Sequence, residues 1–565
     1  MNDRARFFAG AALTLALSVA AFAIPDFALA QNRAPSGVEM AETLPGNFLA
    51  AREALRSKDI PSQAFYLRAA LAQYPGDLEL LNSAFVASLA NGEFDDAFRL
   101  AEELEQRGQK SPLAEMALAA RSLKERDYVQ AVSRLTPFPN DPLQLATILM
   151  RVWAVAGLGN ADAALELLDQ INDPNLALMR DHHAALISDL RGYGYEAKKR
   201  WRAVHARDAD NMRFNDAWAR FLIRNGARDE ARTIYLTLQK AHPHQAAIQA
   251  ALQNLDSGKT PGRATEDAIA GAGEVLFEMG ALLARKDSTL SLSLLNLAIF
   301  LGVKDGAPQE VMGDVLGEAR QYDAAIKAYE AVPASAPTRV YAETRIGEML
   351  QSAERPEAAL KHMQTVAFWR QDYLSYVTLA DIYRAQRKWR DAVGAFTRGI
   401  ELMGPPAATD WKIYFLRAAV SERANDWPAA EQDLKKALEL SPDQPEALNY
   451  LGYSWVDKNI NLEPALAMIQ KAVAKDKENG EFIDSLGWAY FRLGRYDDAL
   501  VELEKAIKLK GGVPEINDHL GDAYWKVGRK REAVFQWRKT LDLKPDDDIA
   551  ARVNAKLTSA LKELN

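Results

Sequence analysis

The sequence predicts an all-α fold in which helix–turn–helix units stack into an α-solenoid. Three observations carry that expectation. A Leu-Gly pair recurs at Leu451-Gly452, Leu486-Gly487 and Leu520-Gly521, in steps of 35 and 34 residues. An alanine opens the second helix of each unit with a similar rhythm: Ala64, Ala97, Ala131, Ala163, Ala197 and Ala231, then Ala325, Ala359, Ala392, Ala430, Ala465, Ala499 and Ala533. Units end on prolines, as in "AHPHQ", "VPASAP" and "ELSPDQP", because proline lacks the amide that would continue a helix. Self-similarity at a fixed period of this size marks a repeat array.

Taken in order, the chain begins with Arg4 and Arg6, the apolar run Phe7–Ile24, and Ala28-Leu29-Ala30 before Gln31. A basic start, an apolar stretch and a small-x-small step have the layout of a secretory signal peptide. Residues 1–30 are therefore expected to be removed by cleavage after Ala30, sending an exported, periplasmic chain on its way. An uncleaved anchor is the competing expectation, since the apolar run approaches the length needed to span a bilayer. Residues 31–43 are read as a flexible segment. Residues 44–255 form a first array of about six repeats, and 271–545 a second of about eight. Between them the alanine rhythm breaks for 94 residues, from Ala231 to Ala325. That interval holds "LDSGKTPGRATEDAIAGAGE", whose glycine and polar content marks 256–270 as a linker or distorted repeat. Residues 546–565 place Ile549, Val553, Leu557 and Leu561 on one helical face, a helix able to cap the last repeat.

Within a unit the positions have mechanical reasons. Gly487 and Gly521 fall mid-helix, where glycine costs about 1 kcal/mol against alanine and usually marks close packing. Tyr490 and Tyr524 follow three residues later on the same face and are expected to fill the space between helices. "LGRY" and "VGRK" supply glycine at the turn.

The period, the Gly and Tyr positions and the turn residues resemble the tetratricopeptide repeat over nearly everything after residue 44, most closely in 308–545. "LNYLGYSWVD", "DSLGWAYFRLGRYDDAL" and "NDHLGDAYWKVGR" are also similar to exported alphaproteobacterial repeat proteins associated with cell-envelope integrity. The resemblance implies a right-handed superhelix with a concave groove lined by positions 2, 5, 9, 12 and 13 of each unit. Carried onto this sequence, these are Glu446, Asn449, Tyr453, Val456 and Asp457; then Glu481, Asp484, Trp488, Phe491 and Arg492; then Glu515, Asp518, Asp522, Trp525 and Lys526. Asn449, Asp484 and Asp518 form a ladder, one rung per unit, expected either to bind an extended peptide or to bridge neighbouring units.

Composition narrows the function classes. Lys and Arg number 69 against 77 Asp and Glu, a net charge of −8, which gives nucleic acid no basic face to reward. The chain has no cysteine, excluding disulfides, thiolate chemistry and cysteine-based zinc sites. Asp518, His519 and Asp522 could suggest acid–base chemistry, but the slot of His519 holds Tyr450 and Ser485 in the preceding units, which favours a structural role. His182 and His183, adjacent on a helix, are expected to diverge and chelate poorly. His242-Pro243-His244 lies in a unit-ending turn and could hold a metal loosely. No phosphate loop, dinucleotide fingerprint or zinc-protease motif occurs. The expectation is a non-enzymatic scaffold without cofactor or metal, binding an envelope protein through its groove. A glycan- or lipid-handling module, using Trp and Tyr in the groove, is the alternative.

Overall fold

The computed structural model describes residues 43–564 apart from 139, 140 and 337. The expected signal peptide and nearly all of the segment 31–43 lie outside the described residues. Among the described residues there are 30 α-helices and no strand: the protein is an all-α repeat solenoid. It divides into two compact units, up to Thr378 and from Leu379 onward.

The first unit opens with paired helices: α1 (Leu44–Arg56) and α2 (Ile60–Gln73), α3 (Leu78–Ala90) and α4 (Phe94–Gln106), α5 (Pro112–Lys124) and α6 (Tyr128–Arg134). It continues through α7 (Gln144–Gly157) and α8 (Ala161–Asp169), α9 (Ala177–Arg191) and α10 (Gly194–Arg207), α11 (Met212–Arg224) and α12 (Arg228–Ala241), then α13 (Ala246–Asp256). Side chains of Asp59, Asp77, Asp127, Asn160 and Asn211 cap their helices by accepting from amides of the first turn, satisfying donors that have no intrahelical partner. Of the alanines that set the rhythm, Ala64, Ala97, Ala131, Ala197 and Ala231 are completely buried, because a methyl group lets the two helices of a pair approach closely; Ala163 is half-buried and its neighbour Ala164 is the buried one.

The interval that breaks rhythm has a structural cause. Residues 257–267 run irregularly, and α14 (Ala268–Leu283) with α15 (Ser288–Leu301) then form a hairpin. This hairpin packs against the first helices of the earlier pairs: α14 on α7, α15 on α3 and α5. Gly271 meets the Trp153 ring so closely that a Cβ would lie 2.4 Å from it. Phe300 packs against Phe94 and Phe98 at 5.1 and 5.2 Å between ring centroids. The Asn296 amide donates to the carbonyls of Leu89 and Ala90 at 3.1 and 2.9 Å. One continuous apolar core runs from Ala51 to Ala307. The boundary therefore differs from the division expected near 255–270: the helices after the irregular segment are built into the first unit. The unit ends with α16 (Ala307–Glu318), α17 (Tyr322–Glu330), α18 (Arg339–Ser352), α19 (Pro356–Arg370) and the start of α20 (Tyr373–Ala385). It folds back on its own beginning, where the Gln321 amide donates to Ser57 O at 2.7 Å.

The second unit holds α21 (Trp389–Met403), then α22 (Trp411–Arg423) with α23 (Trp427–Leu440), and α24 (Pro445–Asp457) with α25 (Leu462–Lys475). The pairs α26 (Gly480–Arg492) with α27 (Tyr496–Lys510), and α28 (Pro514–Lys526) with α29 (Lys530–Asp542), lead to the final helix α30 (Asp547–Leu564). The mid-helix glycines sit where helices of a pair touch. A Cβ on Gly487 would lie 2.6 Å from Leu503 Cγ and 3.2 Å from Ala499 O, and one on Gly521 would lie 2.6 Å from the Trp537 ring. The turns close through Gly494 at φ 77° and Gly528 at φ 83°, left-handed conformations that glycine adopts without steric cost. The arginine after each glycine folds back over the tyrosine of the first helix: Arg495 over Tyr490 at 4.4 Å, Arg529 over Tyr524 at 4.2 Å. On α30, Ile549, Val553, Leu557 and Ala560 are buried against Tyr524 and Trp537, whereas Leu561, expected on that face, is exposed.

Candidate binding groove

In the second unit the first helices α24, α26 and α28 lie in sequence with α30, and each contributes side chains to one face. Asp484 on α26 reaches His519 on α28, with Nδ1 3.0 and 3.1 Å from the two carboxylate oxygens. Burial works against a charge on His519, but the Asp484 carboxylate, with Asp518 and Asp522 behind it, outweighs burial and raises the imidazole pKa. The ring of His519 stacks on Trp488 at 4.1 Å and 14° between planes, and Trp488 stacks on Phe491 at 4.7 Å and 8°. Tyr453 lies 6.3 Å from the His519 ring at a 45° tilt, and Arg492 lies 5.8 Å over Trp488. The result is a stack of Phe491, Trp488 and His519 whose imidazole is held by Asp484.

One unit further on, α30 supplies the partners. Asp518 bonds Arg552 at 3.0 Å and Lys556 at 2.6 Å. Asp522 also accepts from Lys556, at 2.7 Å, and from the Trp537 indole at 3.0 Å. Burial raises the Asp522 pKa despite Lys556. Asn449, the first rung, has no counterpart: Ser485 in the following unit turns its hydroxyl back to Glu481 O at 3.0 Å, and Asn449 Oδ1 is buried without a hydrogen-bond partner.

The expected groove residues thus separate into three groups. Glu446, Asp457, Glu481 and Lys526 are exposed, and Asn449, Tyr453, Phe491, Arg492, Glu515, Asp522 and Trp525 are half-buried. Asp484, Trp488 and Asp518 are only 6%, 8% and 1% exposed, and Val456 is core. For these four, placement on an open groove wall is corrected. A carboxylate facing a basic or imidazole side chain on the next helix forms a charge-assisted hydrogen bond with it, which takes it out of the open groove. Of the two roles foreseen for the ladder, bridging between units is the geometry Asp484 and Asp518 adopt.

Two partners of the ladder were not anticipated. Arg552 and Lys556 stand four residues apart on the flank of the Ile549–Val553–Leu557 stripe, the spacing that puts both on one helical edge, beside an acidic rung. The other correction concerns His182 and His183 of α9. Instead of diverging, they straddle α14 and converge on Glu278, their Nε2 atoms 3.0 and 3.3 Å from its two carboxylate oxygens. Neighbours about 100° apart on a helix can grip one helix laid across them. His244, by contrast, packs at a tilt against Tyr373 with 4.5 Å between ring centroids, and His242 Nε2 lies 3.2 Å from Asp210 O.

Residues 377–445 and 415–479 match the family model described as a tetratricopeptide repeat, and residues 487–528 a second described as a TPR repeat. A TPR repeat-containing protein of Pseudomonas aeruginosa is 26% identical over 160 residues, 28% of this chain and 26% of that protein; the chain spans about a quarter of that relative's length. Among solved structures, the Cut9 and Hcn1 hetero-tetramer of the APC/C matches at 17% identity and a TM-score of 0.39, covering 92% of this chain and 97% of that one. Yeast Tom70 matches at 14% and 0.33, covering 92% and 96%.

Proposed function

Because the chain carries tetratricopeptide repeats, which indicate protein–protein interaction, we propose that it is a non-enzymatic scaffold of the bacterial periplasm. Its partner is another envelope protein, held by the groove of the 379–565 unit. The observation that carries this assignment is the contrast between the inner faces of the two units. In the first, α14 and α15 pack along α3, α5 and α7. In the second, Glu446, Tyr453, Asp457, Glu481, Phe491 and Lys526 keep open or half-open surface. Aromatic side chains among a few placed polar groups suit a binding surface. The acidic majority at the rim favours a neutral or basic segment over a C-terminal carboxylate. Export and an envelope role rest on the signal-peptide pattern of residues 1–30 and on the resemblance of the C-terminal units; no helix among the described residues is long and apolar enough to cross a membrane.

The test replaces Glu446, Asp457 and Glu481 together by Lys, substitutions at exposed positions that leave the core untouched. In-cell crosslinking with mass spectrometry is expected to lose a reproducible protein partner while the variant's far-UV circular dichroism stays the same. Retention of saccharide or lipid alone by the purified protein would replace the scaffold with the glycan- or lipid-handling alternative.

A further inference from the structure

The first unit contains a polar centre that its scaffold role does not use. α14 lays Glu274 and Glu278, one helical turn apart, against α9 and α11. Among the described residues, His182, Glu274 and Glu278 are the trio of potential metal ligands whose donor atoms all lie within 4.8 Å of one another. His182 is 2% exposed and His183 completely buried. His182 Nε2 and Glu278 Oε1 stand 3.0 Å apart, yet the approach closes no hydrogen bond. Both nitrogens of His182, Nε2 of His183 and both oxygens of Glu278 are buried without such a partner. Polar atoms stranded in this way destabilise the fold unless something satisfies them.

We propose that His182, Glu278 and Glu274 form a buried site for one divalent transition-metal ion of the zinc class. Two donors 3.0 Å apart subtend roughly a right angle at an ion about 2.1 Å from each, the usual zinc distance to nitrogen and carboxylate oxygen. One imidazole and two carboxylates are a ligand set for Zn²⁺ or Mn²⁺ rather than for Ca²⁺, which takes oxygen alone. The supporting groups are in place. Trp153 Nε1 donates to His183 Nδ1 at 3.1 Å; an indole only donates, so the proton of neutral His183 sits on Nε2. That N–H faces Glu278 Oε2 at 3.3 Å, standing behind the carboxylate where outer-shell groups stand in metal sites. Arg213 grips Glu274 through both guanidinium arms, and its charge is shared with Asp305 at 2.8 Å. Beside the trio lies a cavity of about 60 Å³ lined by His182, Arg213, Asp216, Arg220, Glu274 and Asp305, with Ala264 and Thr265 of the irregular segment also on its wall. It has room for the water that would complete the coordination of a three-ligand site. Carboxylates outnumber guanidiniums along that wall, so a dication reduces the buried imbalance.

The experiment uses the full chain, dialysed against EDTA and then titrated with Zn²⁺ by calorimetry and with Co²⁺ by visible absorption. One ion per chain is expected, with visible Co²⁺ bands and a higher Tm when Zn²⁺ is added. His182→Asn and Glu278→Gln should each weaken binding beyond the ~10–100-fold that outer-shell partners are worth, with circular dichroism confirming that the helices persist. The double substitution His242→Ala with His244→Ala should leave affinity as it was. Absence of binding by the unaltered protein overturns the site, a result that does not depend on any variant folding. So does binding that survives at His182 and Glu278 but disappears with His242 and His244.

Discussion

His519 shows how a single side chain changes meaning with its surroundings. On the sequence it stands between two carboxylates; in the fold it bonds a third, Asp484, 35 residues earlier. Asp518 meanwhile is engaged by Arg552 and Lys556, and Asp522 by Lys556 and Trp537. The pair gives a pH dependence with a definite sign. Burial would lower the imidazole pKa, but Asp484, Asp518 and Asp522 raise it above its ordinary 6.5. A histidine that holds its proton more tightly when folded adds stability that is complete below the unfolded value and is lost as pH rises through the folded one. Stability of the 379–565 unit should therefore decline as pH rises from below 6.5 to above the raised value, at no more than about 1.4 kcal/mol per pH unit from this group. Urea melts across that window should show the decline, and Asp484→Asn should flatten it. A slope that is unchanged in the variant would place its origin in another group.

At the scale of elements, the repeated hairpin is held by what its glycines omit. Gly487 brings α26 against Leu503 and the Ala499 carbonyl of α27, a contact in which a side chain has no space and a backbone oxygen cannot withdraw. Gly487→Leu should destabilise the unit by about 1–3 kcal/mol through overpacking, read as a lower urea midpoint with an unchanged slope. This contact was legible in advance, since glycine in the middle of a helix has few reasons to be there other than close approach. The pairing of α30 with the acidic rungs was less so. Its apolar stripe announced a capping helix, but Arg552 and Lys556 look like ordinary solvent-facing residues until α28 is placed beside them. The burial of Trp488 was hidden for the same reason: a groove position is open only if the next unit does not bring a ring to cover it, and His519 does.

At the scale of the whole molecule, each unit uses its inner face differently. In the first unit the hairpin α14–α15 completes the core, and its closest approach is Gly271 against Trp153. Gly271→Leu should therefore disturb that unit as a whole. Hydrogen exchange is expected to rise in α3, α5, α7, α14 and α15 and to stay the same in α24, α26 and α28. A disturbance confined to α14 would mean that the hairpin is an appendage and not part of the core.

The helical period, small residues at helix contacts, glycine turns and the apolar stripe of the last helix were all written locally, within one unit of about 34 residues. Such features depend on short-range sterics and on the face a helix must bury, so the amino-acid sequence alone determined an all-α repeat array and the turns of its clearest repeats. Tertiary structure decided what each inner face does. It set α14 and α15 among helices more than a hundred residues earlier, brought two histidines together on Glu278, and paired Asp484 with His519 and Asp518 with Arg552 and Lys556 between successive repeats. Those outcomes depend on which helix lies opposite which. That relation arises when burial and charge are satisfied over long separations, and no local pattern records it.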